Sequence, residues 1–227
     1  MPEMVYFVRH GYAVASIEYS TAVQAFFPSQ LEDVKLAIRF LRARAEEFGI
    51  ISDKIAIMGE SAGGHLAELV GTTGDTREFD KGNYLDQSSK VQAVIPWYGI
   101  SNFENLPKID ANGKEFEKEY GKLDLWSLLA GETINNNKEK IKEMSPISYI
   151  TKDTLPFLIL HGSQDKLVPI SQNEEFYDEL QKAGVESDFY ELVGAEHGDV
   201  HFTQNEAKVY SIQSLYIFKN IILSIFW

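Results

Sequence analysis

The sequence predicts an α/β domain built on a doubly wound, mostly parallel sheet with helices on both faces. Three observations lead there. Short runs too apolar to be half exposed recur along the chain, at residues 12–19 (YAVASIEY), 54–58 (KIAIM), 91–95 (VQAVI) and 155–160 (LPFLIL). Segments of helical periodicity separate several of them. The residues with catalytic potential fall in loops just past the carboxyl ends of such runs, where sheets of this kind carry their sites.

Taken in order, Gly11 marks a tight turn into the first strand. Pro28 and Ser29 open a helix, because Ser29 and Glu32 have capping-box spacing and Leu31, Val34, Ile38, Leu41 and Ala45 recur along one face. After the strands at 54–58 and 91–95, residues 101–145 are polar, rich in Lys, Glu and Asn, and read as a helical excursion over the active-site side, closed by Pro146. The strand at 155–160 is followed by a helix over 171–183 ended by Gly184, a strand over 188–192, a loop carrying His197 and a terminal helix from about Gln204. The apolar run 221–227 is too short to span a bilayer and reads as the end of a helix packed on the sheet.

A chain of 227 residues suits one such domain over 1–227 with a continuous core. Its formal charge of −13 argues against nucleic acid as a partner, since a phosphate-tracking surface needs a basic stripe. The absence of cysteine excludes disulfides, thiolate metal sites and a cysteine nucleophile. Residues 1–10 lack the apolar core and cleavage site of a signal peptide, so the expected location is cytoplasmic.

The most specific local pattern is Gly59-Glu60-Ser61-Ala62-Gly63-Gly64, directly after the KIAIM run and before a helical run with Leu66, Ala67 and Leu69. It reads as a nucleophile elbow, in which a sharp strand-to-helix turn exposes the serine at a helix N-terminus. A glycine-rich structural turn and a phosphate cradle are the competing readings. No lysine follows in the phosphate-loop pattern, and Glu60 would repel phosphate.

A serine hydroxyl needs a base, and the base needs a partner that fixes its tautomer. Asp165 follows the LPFLIL run, and His197 follows the next strand 32 residues later. The order Ser61, Asp165, His197 is the one a nucleophile-elbow enzyme requires, and the interval fits one helix and one strand. His161 is read as ordering the acid loop, and His65 as packed or capping. His201 lacks a third ligand at suitable spacing, so no metal is expected.

The runs GYAVASIEY, FPSQLEDVKLAIRFLRARAEEFGI, KIAIMGESAGGHLA, VQAVIPWYGISNF, SPISYI, PFLILHGSQDKLVP and GAEHG cover nearly the whole chain. Together they resemble the α/β-hydrolase fold serine esterases, in the carbohydrate acetyl- and feruloyl-esterase-like and hormone-sensitive-lipase-like branch. The resemblance implies a cofactor-independent carboxylester hydrolase for small acyl esters, acetylated sugars among them. Ser61 would be acylated, His197 the general base and then acid, and Asp165 its orienting carboxylate. The Ala62 N–H would be one oxyanion donor, and Trp97 and Tyr98 would be pocket walls or ordinary core. Family members also carry a His-Gly-Gly loop on a central strand ahead of GYAVASIEY. On that resemblance the N-terminal strands of the fold are expected to be missing from this sequence, and residues 1–10 resemble the end of the helix that follows that loop. A central sheet position is therefore expected to be vacant unless another segment or a second subunit fills it, and a homodimer through the exposed edge is one expected solution. A truncated, non-catalytic module and a prolyl-oligopeptidase-like peptidase stay open as alternatives.

Overall fold

The computed structural model describes residues 2–74, 76–106, 129–131, 137–203 and 223–226. Its centre is a six-stranded sheet of β1 (Ala13–Ser16), β2 (Ile55–Glu60), β3 (Ala93–Trp97), β4 (Phe157–Gly162), β5 (Ser187–Leu192) and β6 (Leu223–Phe226), in the spatial order β1-β6-β2-β3-β4-β5. Every pairing in it is parallel.

The apolar runs become central strands because both faces of the sheet are covered. Ile55, Ile57, Val94, Phe157 and Ile159 point into one core, against Leu31, Val34 and Ile38 of α2 (Ser29–Ala43). Leu66, Leu69 and Val70 of α4 (Ala62–Thr72) and Phe176 and Leu180 of α6 (Ser171–Lys182) complete that layer. The alternate residues Ala56, Met58, Ala93, Ile95, Leu158 and Leu160 face the other way, against Phe7 of α1 (Pro2–Arg9) and against Phe202. A short helix α3 (Ala45–Phe48) follows α2 and ends at Gly49, whose φ of 66° closes the turn that leads toward β2.

Two sequence expectations are corrected. The capping box at Ser29 and Glu32 does not form. The helical ladder already begins at Pro28, whose carbonyl accepts the Glu32 N–H at 3.0 Å, so Ser29 lies inside the first turn and its side chain makes no cap bond. The larger correction concerns the C-terminal run, expected to be helical, which contributes strand β6. Leu223, Ser224, Ile225 and Phe226 pair with Ala13, Val14, Ala15 and Ser16 on one side, and Leu223 to Ile225 pair with Ile55 to Ile57 on the other. The central position expected to be vacant is thus filled from within the same chain. A gap there would strand the facing backbone N–H and C=O groups of β1 and β2, and residues 223–226 take them up. The terminal helix expected from about Gln204 lies outside the described residues.

Of the excursion 101–145, residues 107–128 and 132–136 also lie outside them. Its far end is α5 (Lys138–Met144), capped by the Asn137 side chain, followed by a 3₁₀ turn at Pro146–Tyr149. No helix among the described residues is long and apolar enough to cross a membrane.

Candidate active site

Strand β2 runs straight into α4, and the reversal between them is made at Ser61. Its backbone sits at φ 53°, ψ −113°, a conformation a non-glycine residue adopts only when its surroundings enforce it. Two contacts do so: the Ser61 N–H donates to the Trp97 carbonyl at 3.0 Å, and the Ser61 carbonyl accepts the His65 N–H at 3.0 Å. The turn is tight enough that a Cβ on Gly59 would stand 2.2 Å from the Gly63 carbonyl oxygen, which accounts for glycine there. Ala62 is the first residue of α4, so its N–H has no intrahelical acceptor and stands at the positive end of the helix.

The loops after β4 and β5 bring the other two residues to this serine. They are tied to each other by Ser163 N–H to Leu192 O at 3.1 Å, Gln164 N–H to Ala195 O at 2.9 Å and Gly194 N–H to Ser163 Oγ at 2.8 Å. Ser61 Oγ lies 2.8 Å from His197 Nε2, and His197 Nδ1 lies 2.7 Å from Asp165 Oδ2. A carboxylate cannot donate, so Nδ1 carries the hydrogen and Nε2 presents its lone pair to the serine hydroxyl.

The Asp165 side chain is fully buried. Burial alone would push its carboxyl up, but hydrogen bonds from His161, His197 and the Val168 N–H outweigh it and hold the group well below the usual carboxylate range. Its Oδ1 accepts from the N–H groups of Leu167 at 2.9 Å and Val168 at 2.8 Å. The acid is therefore anionic and anchored at both oxygens.

The ring of Tyr98 meets His197 edge to face at 4.7 Å, and its hydroxyl donates to Glu60 Oε2 at 2.9 Å. Trp97 packs in the second core at 5.6 Å from the Phe202 ring. His65 is buried, and its Nδ1–H donates to the Ile100 carbonyl at 2.8 Å; burial lowers its pKa to about 4, so the ring is neutral. His201 lies beside Asp199, at 2.7 Å. No cluster that could hold a metal ion occurs among the described residues.

Beside Ala62 opens a cavity of about 260 Å³ with predominantly apolar walls. Tyr19, Phe27, Leu66 and Leu129 are among its lining residues, with Gln30 and His65. Sequence reading missed these walls because they come from four separate segments whose convergence has no linear signature. It also missed Glu68 and Asn173, which form a buried polar cluster behind the site: Asn173 Nδ2 lies 3.2 Å from Glu68 Oε1, 3.1 Å from Gly99 O and 2.6 Å from Ser101 Oγ. A glutamate in the middle of the otherwise apolar stretch Leu66–Val70 is the one signal that could have pointed there.

The BD-FAE family model matches residues 1–180. The chain belongs to the BD-FAE family. This BD-FAE chain is 30% identical over 226 residues to the probable carboxylic ester hydrolase LipM of Mycobacterium tuberculosis (strain ATCC 25618 / H37Rv), covering 93% of this chain and 50% of LipM. It is 32% identical over 189 residues to esterase LipC of the same organism, covering 83% of this chain and 45% of LipC. The chain thus spans about half the length of the curated relatives it matches. Among solved structures, a truncated form of a carbohydrate esterase from gut microbiota superposes with a TM-score of 0.74 at 27% identity, over 87% of this chain and 73% of that one. A bifunctional GH43-CE protein of Bacteroides eggerthii superposes with a TM-score of 0.78 at 30% identity, over 90% of this chain and 27% of that one. The BD-FAE chain therefore has the α/β-hydrolase fold.

Proposed function

We propose that this chain is a cofactor-independent carboxylester hydrolase that works through an acyl-enzyme on Ser61, with small acyl esters of carbohydrates as its substrate class. The observation that carries the proposal is the continuous line from Ser61 Oγ through the His197 ring to Asp165, with hydrogen bonds of 2.8 and 2.7 Å, at an elbow that opens toward a helix N-terminus.

In the forward step Ser61 Oγ bonds to the acyl carbon as its proton passes to His197 Nε2, and the carbonyl π electrons move onto the oxygen. The Ala62 N–H, at the first position of α4, donates to that oxyanion, and the dipole of α4 supports it. Collapse breaks the bond to the leaving alcohol, which takes the proton back from His197. Water then repeats the sequence on the acyl-enzyme and releases the carboxylic acid and free Ser61. Throughout, Asp165 stays ionised and holds Nδ1–H, so His197 keeps the tautomer the chemistry needs.

The cavity beside Ala62 is the place for the acyl chain. Its volume of about 260 Å³ is ample for an acetyl or butyryl group, and its Tyr19, Phe27, Leu66 and Leu129 walls give an acyl chain the apolar surroundings it needs. The carbohydrate half of the proposal is supported by one structural neighbour, the carbohydrate esterase from gut microbiota, at 27% identity.

Hydrolysis of p-nitrophenyl acetate and butyrate by the chain and by its Ser61→Ala variant tests the reading. Turnover should fall by a factor on the order of 10⁴ or more in the variant. Near-equal turnover of the two proteins would remove Ser61 from the mechanism.

A further inference from the structure

His161 stands at the end of β4, fully buried, four residues ahead of the proposed catalytic acid. Its Nε2 lies 2.8 Å from the Val168 carbonyl oxygen and 3.4 Å from Asp165 Oδ2. Its Nδ1 lies 2.9 Å from Asn173 Oδ1. Which end of the Asn173 amide faces the ring follows from the other end, which sits 3.1 Å from the Gly99 carbonyl oxygen. A backbone carbonyl accepts and never donates, so the amide NH₂ belongs beside Gly99 and the amide oxygen beside His161. The ring thus has an acceptor at each nitrogen, and a neutral imidazole carries one hydrogen for the two.

Charge compensation points the same way. Asp165 is anionic with no exposed side-chain surface, and a buried carboxylate held by neutral dipoles alone is expensive. Of the two rings touching its Oδ2, His197 must stay neutral in the resting enzyme to accept the serine proton. His161 has no such duty.

We propose that His161 is held as an imidazolium, protonated at both ring nitrogens, and acts as a positioning residue that is the buried counter-charge of Asp165. The proposal rests on the assignment of Asp165 and His197 made above. The titratable groups around the ring are Asp165 in direct contact and, one hydrogen bond further, His197 across Asp165 and Glu68 across Asn173. Glu68 has no exposed surface and is pushed by burial toward its neutral form, which leaves Asp165 as the anion the ring answers.

The consequence for catalysis has a definite sign. Both rings reach the same Oδ2, at 3.4 and 2.7 Å, so their facing nitrogens are at most about 6 Å apart. A positive His161 opposes a second positive charge on His197, which keeps the base free of a competing proton down to lower pH. It also anchors the carboxylate that orients that base.

The test has two readouts on the 227-residue chain. In ¹⁵N-histidine-labelled protein near neutral pH, both His161 nitrogens should show shifts of the protonated type. The ring is assigned against His161→Gln or, where that variant does not fold, by substituting His10, His65, His197 and His201 in turn. A lone-pair-bearing nitrogen on His161 overturns the proposal. In the pH profile of kcat/KM for p-nitrophenyl acetate, His161→Gln should move the acid limb up by about one to two pH units, the size of one charge at that separation in a partly screened interior. A fall in kcat at every pH with an unmoved limb marks a packing role only and overturns the counter-charge. Should Ser61→Ala retain turnover, the triad assignment falls, while the nitrogen shifts still decide the state of His161.

Discussion

Replacing Glu68 by glutamine should stabilise the protein at alkaline pH and leave it nearly unchanged in mild acid. The side chain is fully buried on α4, and burial pushes its carboxyl up from 4.5 to about 8, with hydrogen bonds from Ser101 and Asn173 opposing only part of the rise. In the unfolded chain the same carboxyl loses its proton near its ordinary value. A raised folded pKa means the stabilising contribution is complete below pH 4.5 and is lost as pH rises toward and through about 8. Full linkage over that interval amounts to about 5 kcal/mol, and relaxation of the site reduces it to roughly 2–5 kcal/mol. Glutamine is a fair stand-in for the protonated acid. Its amide oxygen can accept Asn173 Nδ2 as Glu68 Oε1 does at 3.2 Å, and its NH₂ takes the place of Oε2, which has no hydrogen-bond partner. Urea unfolding of both proteins at about pH 5 and about pH 9 measures the difference. The variant should match the parent within about 1 kcal/mol in acid and exceed it by the stated amount in alkali. A difference that does not change with pH, or one that favours the parent at pH 9, would refute the reasoning.

A fluorophosphonate probe should label the parent chain at Ser61 and fail to label His197→Ala, because the probe reports an activated serine rather than an exposed one; equal labelling of both would sever the base from the nucleophile. Leu129→Ala removes one apolar wall of the cavity beside Ala62 and should lower the butyrate-to-acetate ratio of kcat/KM by roughly threefold to tenfold, since the longer acyl chain loses contact that acetyl does not make. An unchanged ratio would place the acyl chain elsewhere. Ser224→Pro should destabilise the fold by about 3 kcal/mol or more, lowering Tm by roughly 10 °C, because a proline within β6 removes a ladder donor between Val14 and Ala56. An unaltered Tm would exclude β6 from the sheet.

The parts of this fold that could be read from the sequence are those in which one segment carries its own signal. The apolar runs of β2, β3 and β4 declare a sheet covered on both faces, and the alternation of Ile55 and Ile57 with Ala56 and Met58 between two cores is that signal realised. The elbow is legible for the same reason, since strand, Gly59, Ser61 and helix are contiguous. β6 was illegible because residues 223–226 are a strand only by virtue of the place they fill. A tetrapeptide of Leu, Ser, Ile and Phe has no period long enough to separate strand from helix. What decides it is the pair of open ladders that β1 and β2 present on either side.

The same distinction divides the site itself. Half of what fixes Asp165 is local: Leu167 and Val168 turn back within three residues and donate both their N–H groups to Oδ1. Any aspartate in that loop sequence could make those bonds, and they leave the other oxygen free to swing. The second half comes from His161 on β4, and His161 is itself held by Asn173 on α6, which touches Glu68 on α4 and Gly99 beyond β3. Three elements of the domain and the loop after β3 thus converge behind one carboxylate oxygen. A polar cluster at that depth destabilises a core unless nearly every member is partnered, so its presence behind Asp165 is better explained by the placement of Oδ2 than by stability. Since Oδ2 is the oxygen that meets His197, the angle of the His197 ring toward Ser61 is set from the far side of the domain.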